Sequence, residues 1–170
     1  EENQTILQAR KGLGSKISHT LFGVSPHLTF SKVVWRDIAP RLEACLIEDP
    51  AIIPLNTVYY IPVRSLDEGY LLTAFLNSAY ARDFCNTRAE HAQNNYRRFF
   101  AWVIESMPWF WGNPNDFEIA KEIIALSKEC HCCSPITDVI LNQMDALVEK
   151  YKEYDKNLLL NQLQMCEYSL

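Results

Sequence analysis

Apolar side chains recur at helical spacing in Tyr70, Leu71, Ala74, Phe75 and Ala79, and this pattern predicts a helix from residue 66 to about residue 90 with one buried face. Asn77 and Ser78 interrupt it, because both side chains compete for backbone hydrogen bonds. Asp67 and Glu68 suit its positive N-terminal end. Upstream, residues 28–35 (LTFSKVVW) are β-branched and aromatic and read as a strand. Asp37 is placed to cap a short turn or helix running through Arg41 to Leu46, with Pro40 tolerated in its first turn. Residues 52–63 (IIPLNTVYYIPV) carry the strongest strand signal in the chain, with prolines near the ends. Residues 97–107 read as a returning strand that Pro108 ends.

Beyond a turn at residues 112–115 the pattern becomes wholly helical. One helix is predicted over 116–129. Pro135 opens another, with Ile136, Val139, Ile140, Met144, Leu147, Val148 and Tyr151 on a single stripe. A weaker helix covers 157–166. The expected class is mixed α/β (α+β): a small sheet with packed helices over residues 1–111, followed by an all-α appendage over 112–170. That appendage is expected to pack on the first module or on a catalytic domain elsewhere in a longer chain. Residues 1–27 are poorly periodic. Their Gly12–Lys16 segment lacks the spacing of a P-loop or dinucleotide fingerprint and reads as a surface loop, from which Lys11, Lys16 and His19 could touch a phosphate.

Composition supports a folded core: 48% of the 170 residues are hydrophobic and 22% charged. No apolar run approaches the roughly 20 residues that cross a bilayer. The polar start without an initiator Met leads to the expectation of a fragment from a longer, cytoplasmic chain, its six cysteines reduced. Charge is unevenly spread. Residues 1–111 hold 11 basic and 11 acidic side chains, whereas residues 112–170 hold 5 and 10, which is the whole net charge of −5. All eight arginines lie at or before Arg98, so an anionic partner should meet the first part of the chain.

Asn94, Asn95, Tyr96, Arg97, Arg98 and Phe99 put amides, rings and guanidinium groups side by side, a set able to contact phosphates, base edges and base faces. The plainer reading is a strand after a solvated turn, its arginine stems lying over apolar neighbours. Cys130-His131-Cys132-Cys133 is too crowded to offer four converging metal ligands, so no metal is expected there. Asn113-Pro114-Asn115-Asp116 departs from the Asn-Pro-Pro-aromatic tetrapeptide of adenine amino-methyltransferases and reads as a helix cap. No nucleophile–base arrangement stands out, and Glu90-His91 reads as an exposed helix end.

Four segments carry a resemblance: KVVWRDIAPRLEA (32–44), PLNTVYYIPV (54–63), LLTAFLNSAYAR (71–82) and NNYRRFFAWVIESMPW (94–109). In this order and spacing the chain resembles the C-terminal target-recognition region of adenine-specific DNA methyltransferases. These include fused type IIG restriction–modification enzymes and their TaqI-like specificity domains. The likeness covers residues 29–111. It implies a non-catalytic module that reads double-stranded DNA for an upstream methyltransferase domain of the same chain. That domain would hold the S-adenosylmethionine, so no cofactor is expected in this fragment. Lys32, Arg88, Arg97 and Arg98 are the candidate phosphate contacts, and Arg36, Arg41, Asn94 and Asn95 are candidates for backbone or base contacts, with Tyr96 beside them; Arg36 and Arg41 could equally form local ion pairs with Asp37 and Glu43. The main alternative is a docking module that uses the apolar face of residues 135–151. A further alternative is a thiol or metal enzyme built on Cys130–Cys133.

Overall fold

A computed structural model describes residues 30–54, 57–108, 118–132 and 138–167, with side chains as far as residue 153. Two small antiparallel sheets and the helices packed on them give a mixed α/β class with C-terminal helices. The first sheet has β1 (Lys32–Arg36) in the centre, flanked by β3 (Ala44–Ile47) and β4 (Val58–Pro62). Val33 and Trp35 alternate onto its buried face, as the period of a strand requires, and pair with Leu46 and Ala44 on one side and with Ile61 and Tyr59 on the other. The second sheet is made of two-residue strands: β2 (Ile38–Ala39), β6 (Arg97–Arg98) and β5 (Glu90–His91), in that order.

Helix α1 (Leu66–Asn77) starts at Ser65, whose hydroxyl accepts from the Glu68 amide at 3.2 Å, while the Glu68 carboxylate accepts from the Arg64 amide at 2.7 Å. This is a reciprocal cap. Gly69 brings the helix close to β3: a Cβ there would lie 2.6 Å from Leu46 Cδ1. Ser78 ends α1 and caps α2 (Ala79–Arg88), accepting from the Ala81 amide and donating to the Phe75 carbonyl. The interruption expected at Asn77-Ser78 is therefore real, and the helix expected to run to residue 90 is two helices.

Three sequence expectations need correction. Residues 38–39 and 44–47 form β2 and β3 on either side of a bend at Pro40-Arg41, in place of a turn or helix continuing to Leu46. Pro40 disfavours helical geometry at Ala39, and Leu46 is held in register opposite Val33. The expected strand at 97–107 stops at Arg98 and gives way to α3 (Ala101–Glu105). Phe99, Val103, Ile104 and Met107 are all buried, and that spacing is helical, so packing overrides the β-propensity of the rings. The expected strand at 52–63 shortens to β4, with Ile52 and Ile53 exposed.

The last two helices are α4 (Glu118–Cys132) and α5 (Asp138–Glu167), the latter running through the two helices expected separately. Both contact α1 or α2 directly. Ser127 donates to the Tyr70 carbonyl at 2.9 Å, Lys128 pairs with Asp67, and Asp145 accepts from the Ala79 amide at 2.7 Å. One buried cluster runs from Val33 through Leu71, Phe75 and Ile123 to Met144, Val148 and Tyr151. The apolar stripe of the fifth helix thus lies inside its own protein. Val139, expected on that stripe, is 74% exposed instead, and residues 133–137 lie outside the described residues. Among the described residues no helix is long and apolar enough to cross a membrane.

Candidate nucleic-acid interface

Residues 90–98 form a β-hairpin, with Glu90 opposite Arg98 and His91 opposite Arg97. At its tip the Ala92 amide donates to the Tyr96 carbonyl at 2.8 Å and the Tyr96 amide to the Gln93 carbonyl at 3.2 Å. Asn94 and Asn95 between them have φ of 58° and 61°. Two successive left-handed residues are what a type I′ turn needs, and after glycine asparagine tolerates that region best. The Asn-Asn pair is therefore a turn signal before it is anything else. Glu90, His91, Gln93, Asn94, Asn95 and Tyr96 are all exposed, whereas Ala89 and Phe99 at the two feet are buried. Strand β2 reaches only the base of the hairpin, opposite Arg97 and Arg98.

The base is held by polar ties. Arg98 forks onto Asp37, Nη2 to Oδ2 at 2.7 Å and Nε to Oδ1 at 3.4 Å, and its guanidinium lies 4.3 Å from the centre of the Phe100 ring. The bond to Asp37 raises the Arg98 pKa above its usual value, against the opposing effect of burial. Arg97 donates through Nη1 to the Asn86 carbonyl of α2 at 2.8 Å. Asp37 sits at the junction of the two sheets: its amide donates to the Thr57 carbonyl and its carbonyl accepts from the Phe99 amide at 2.7 Å. Trp35 adds a second tie from the first sheet, its indole donating to the Phe99 carbonyl at 2.9 Å.

Arg97 and Arg98, the foremost phosphate candidates, are therefore half-buried struts as well as cations. Lys32 is a clear correction. Its side chain is fully buried, and Nζ donates to the carbonyls of Ile52 at 2.8 Å and Pro50 at 3.4 Å, so no phosphate can reach it. Burial pushes its pKa down, partly opposed by Asp49. Arg41 is exposed and forms an ion pair with Glu43 at 2.7 Å. Arg88 is exposed at the end of α2, its guanidinium 3.7 Å over the Phe84 ring. Arg36 is exposed, makes no ion pair among the described residues, and lines a concavity of about 380 Å³ with Asp37, Ile38, Thr57 and Val58. The structure thus gathers Arg36, Arg97 and Arg98 around Asp37 and the hairpin base. It sets Asn94, Asn95 and Tyr96 at the tip. Lys11, Lys16 and His19 lie outside the described residues.

What the sequence reading missed is Asp37 as the anchor of this arrangement. The sequence offered Asp37 only a local pairing with Arg36 or Arg41, whereas its partner is Arg98, 61 residues along the chain.

The cysteine-rich corner is different in character. Cys45, Cys130 and His131 line a cavity of about 240 Å³ with Tyr70, Asn77 and Met144. Glu48 accepts a hydrogen bond from the Tyr70 hydroxyl and lies 3.4 Å from His131 Nε2. Among the described residues no three His, Cys, Asp or Glu side chains converge as metal ligands, and Cys133 lies outside them.

No family model and no characterised protein matches this chain.

Proposed function

We propose that this chain is a DNA target-recognition module serving an adenine-specific DNA methyltransferase or a restriction–modification enzyme. On this reading it is cytoplasmic and not itself catalytic, and an upstream domain of the same parent chain supplies the S-adenosylmethionine site. The observation that carries the reading is the exposed hairpin with a neutral amide tip and arginines at its foot. Three arginines and one glutamate lie between Arg88 and Arg98. A protein that binds duplex DNA sequence-specifically needs both parts, cations to meet phosphates and hydrogen-bonding side chains to meet base edges. Support from resemblance is limited to the four segments named above. The docking alternative draws on the face of residues 135–151, much of which the protein buries in its own core.

The test is fluorescence anisotropy with a labelled duplex at several salt concentrations. The chain binds with an affinity of about 10⁻⁴ to 10⁻⁶ M near physiological salt, tighter as salt falls. Arg36→Ala and Arg88→Ala each flatten the plot of log affinity against log salt by about 0.9. Absence of duplex binding even at low salt counts against the reading. Titration with S-adenosylmethionine gives no micromolar binding to this chain; such binding would place the cofactor site here and not upstream.

A further inference from the structure

We infer that the tip of the 90–98 hairpin enters the major groove of duplex DNA and that the carboxamides of Asn94 and Asn95 read adenine there, with Arg97 and Arg98 acting as positioning residues that hold the hairpin upright. The inference rests on the DNA-recognition reading and assigns its base-reading element.

The dimensions agree. Paired strands lie about 4.8 Å apart, and the major groove, about 12 Å wide and 8.5 Å deep, admits a two-stranded ribbon. From Arg98 to Tyr96 the chain advances about 7 Å as extended strand, and the Asn94-Asn95 turn stands beyond it, a reach comparable with the depth of the groove while the base stays at the phosphate ridge. Among the described residues, backbone hydrogen bonds of residues 92–96 run only within the tip, and Gln93, Asn94, Asn95 and Tyr96 are exposed.

The chemistry selects the base. A carboxamide presents one acceptor and one donor side by side, matching the N6 amine and N7 of adenine. Guanine shows two acceptors in the same groove and calls for an arginine. Both arginines of the hairpin are instead tied at its foot, Arg98 to Asp37 and Arg97 to the Asn86 carbonyl. A neutral tip releases no counterions from phosphates, and contacts to phosphates carry no sequence information.

Glycine separates turn geometry from amide chemistry, because it accepts the positive φ of both positions at no steric cost. The experiment selects bound duplexes from a randomised pool with the full chain, wild type and Asn94→Gly/Asn95→Gly, each checked by its melting curve. The wild type enriches a motif that contains A·T pairs. The double variant keeps its fold and salt dependence but loses roughly 5- to 150-fold discrimination at one or two of those pairs. An enriched motif that the double variant reproduces unchanged overturns the inference while leaving DNA recognition standing. A wild type that binds duplex DNA but enriches no sequence overturns it as well. A wild type that binds no duplex at low salt overturns the underlying reading, and the inference falls with it.

Discussion

The two sheets are alike in strand number and antiparallel pairing and unlike in what holds them. In the first, β1, β3 and β4 alternate side chains onto a face that α1 covers, and Val33, Trp35 and Leu46 are nearly or wholly buried. Such a sheet is stabilised mainly by apolar area removed from water. In the second, the strands are two residues long, Ile38 and Glu90 face solvent, and the ties are Arg98 to Asp37, Arg97 to the Asn86 carbonyl and Trp35 to the Phe99 carbonyl. A sheet that small cannot bury enough surface to stand alone. Its hairpin borrows rigidity from the first sheet through directional polar bonds, and that leaves its outer side chains free to differ without loss of the core. Stability and surface chemistry are thus assigned to different sheets.

Trp35 joins the two and should give the largest effect. Trp35→Ala costs about 3–5 kcal/mol, measured by denaturant unfolding. Trp35→Phe keeps most of the packing against Tyr59 but leaves the Phe99 carbonyl unpaired, and costs about 1–3 kcal/mol. Faster amide exchange at Phe99 and in the hairpin, with β1 still protected, would show that the indole bond is the coupling. Equal loosening of both sheets would show that it is not.

Helix α2 supports the second sheet from below, and its buried Cys85 makes that support pH-sensitive. Burial raises the Cys85 thiol from 9.0 to about 12, with Arg88 opposing, and the hydrogen bond to Glu48, helped by burial, raises Tyr70 from 10.0 to about 12. In each case the unfolded chain ionises first, so it binds fewer protons than the folded chain between the two values. Stability is therefore intact below about pH 9 and falls as pH rises from there toward 12. Thermal melts across this range should show a steeper decline for the wild type than for Cys85→Ala; parallel declines would exclude the thiol as a source.

Lys32 tests whether a buried lysine of the first sheet adds to the proposed DNA surface beside the exposed Arg36. Lys32→Ala removes a buried stem and its bonds to the Pro50 and Ile52 carbonyls, at about 2–3 kcal/mol. The salt dependence of DNA binding stays that of the wild type. A flatter dependence with intact folding would return Lys32 to the interface.

The smallest effect is the coupling of Arg98 with Asp37, side chains 39% and 21% exposed. A double-mutant cycle with Asp37→Ala and Arg98→Ala should give a small favourable coupling, reduced by salt. A coupling near zero would remove this pair from the struts of the hairpin.

Much of this could be read from the chain alone, and what could not has physical causes. The covered face of α1 and the break at Asn77-Ser78 were legible because periodicity and capping are local. The β1 and β4 strands were legible because β-branched and aromatic residues cluster there. The β2 and β3 strands were not, since residues 37–46 take their extended form from partners at Val33, Val34 and Arg97, which no local pattern encodes. The α3 helix was missed because Phe99, Phe100 and Trp102 favour strands in isolation, while Val103, Ile104 and Met107 bury only as a helix. In the candidate interface, the basic and amide character of residues 94–98 was plain. The division between braced arginines and an open tip was not, because it depends on Asp37 and Asn86, which are far away or on another element. Lys32 misled for a related reason: a lysine beside a strand usually lies in water, and here carbonyls from residues 50 and 52 fold over it.

The amide of Asn77 has one more consequence. Its Oδ1 accepts from the Ala44 amide at 2.9 Å and its Nδ2 donates to the Ala44 carbonyl at 2.8 Å, on the side of β3 away from β1. A side chain thereby fills the place that the backbone of another strand would take. At the opposite border of the same sheet, β4 ends in Pro62, which has no amide hydrogen to offer. Open strand borders are templates on which chains add to one another, and both borders here are blunted at one position. Asn77, the last residue of α1, thus leaves one backbone position fewer on this border for another chain to pair with.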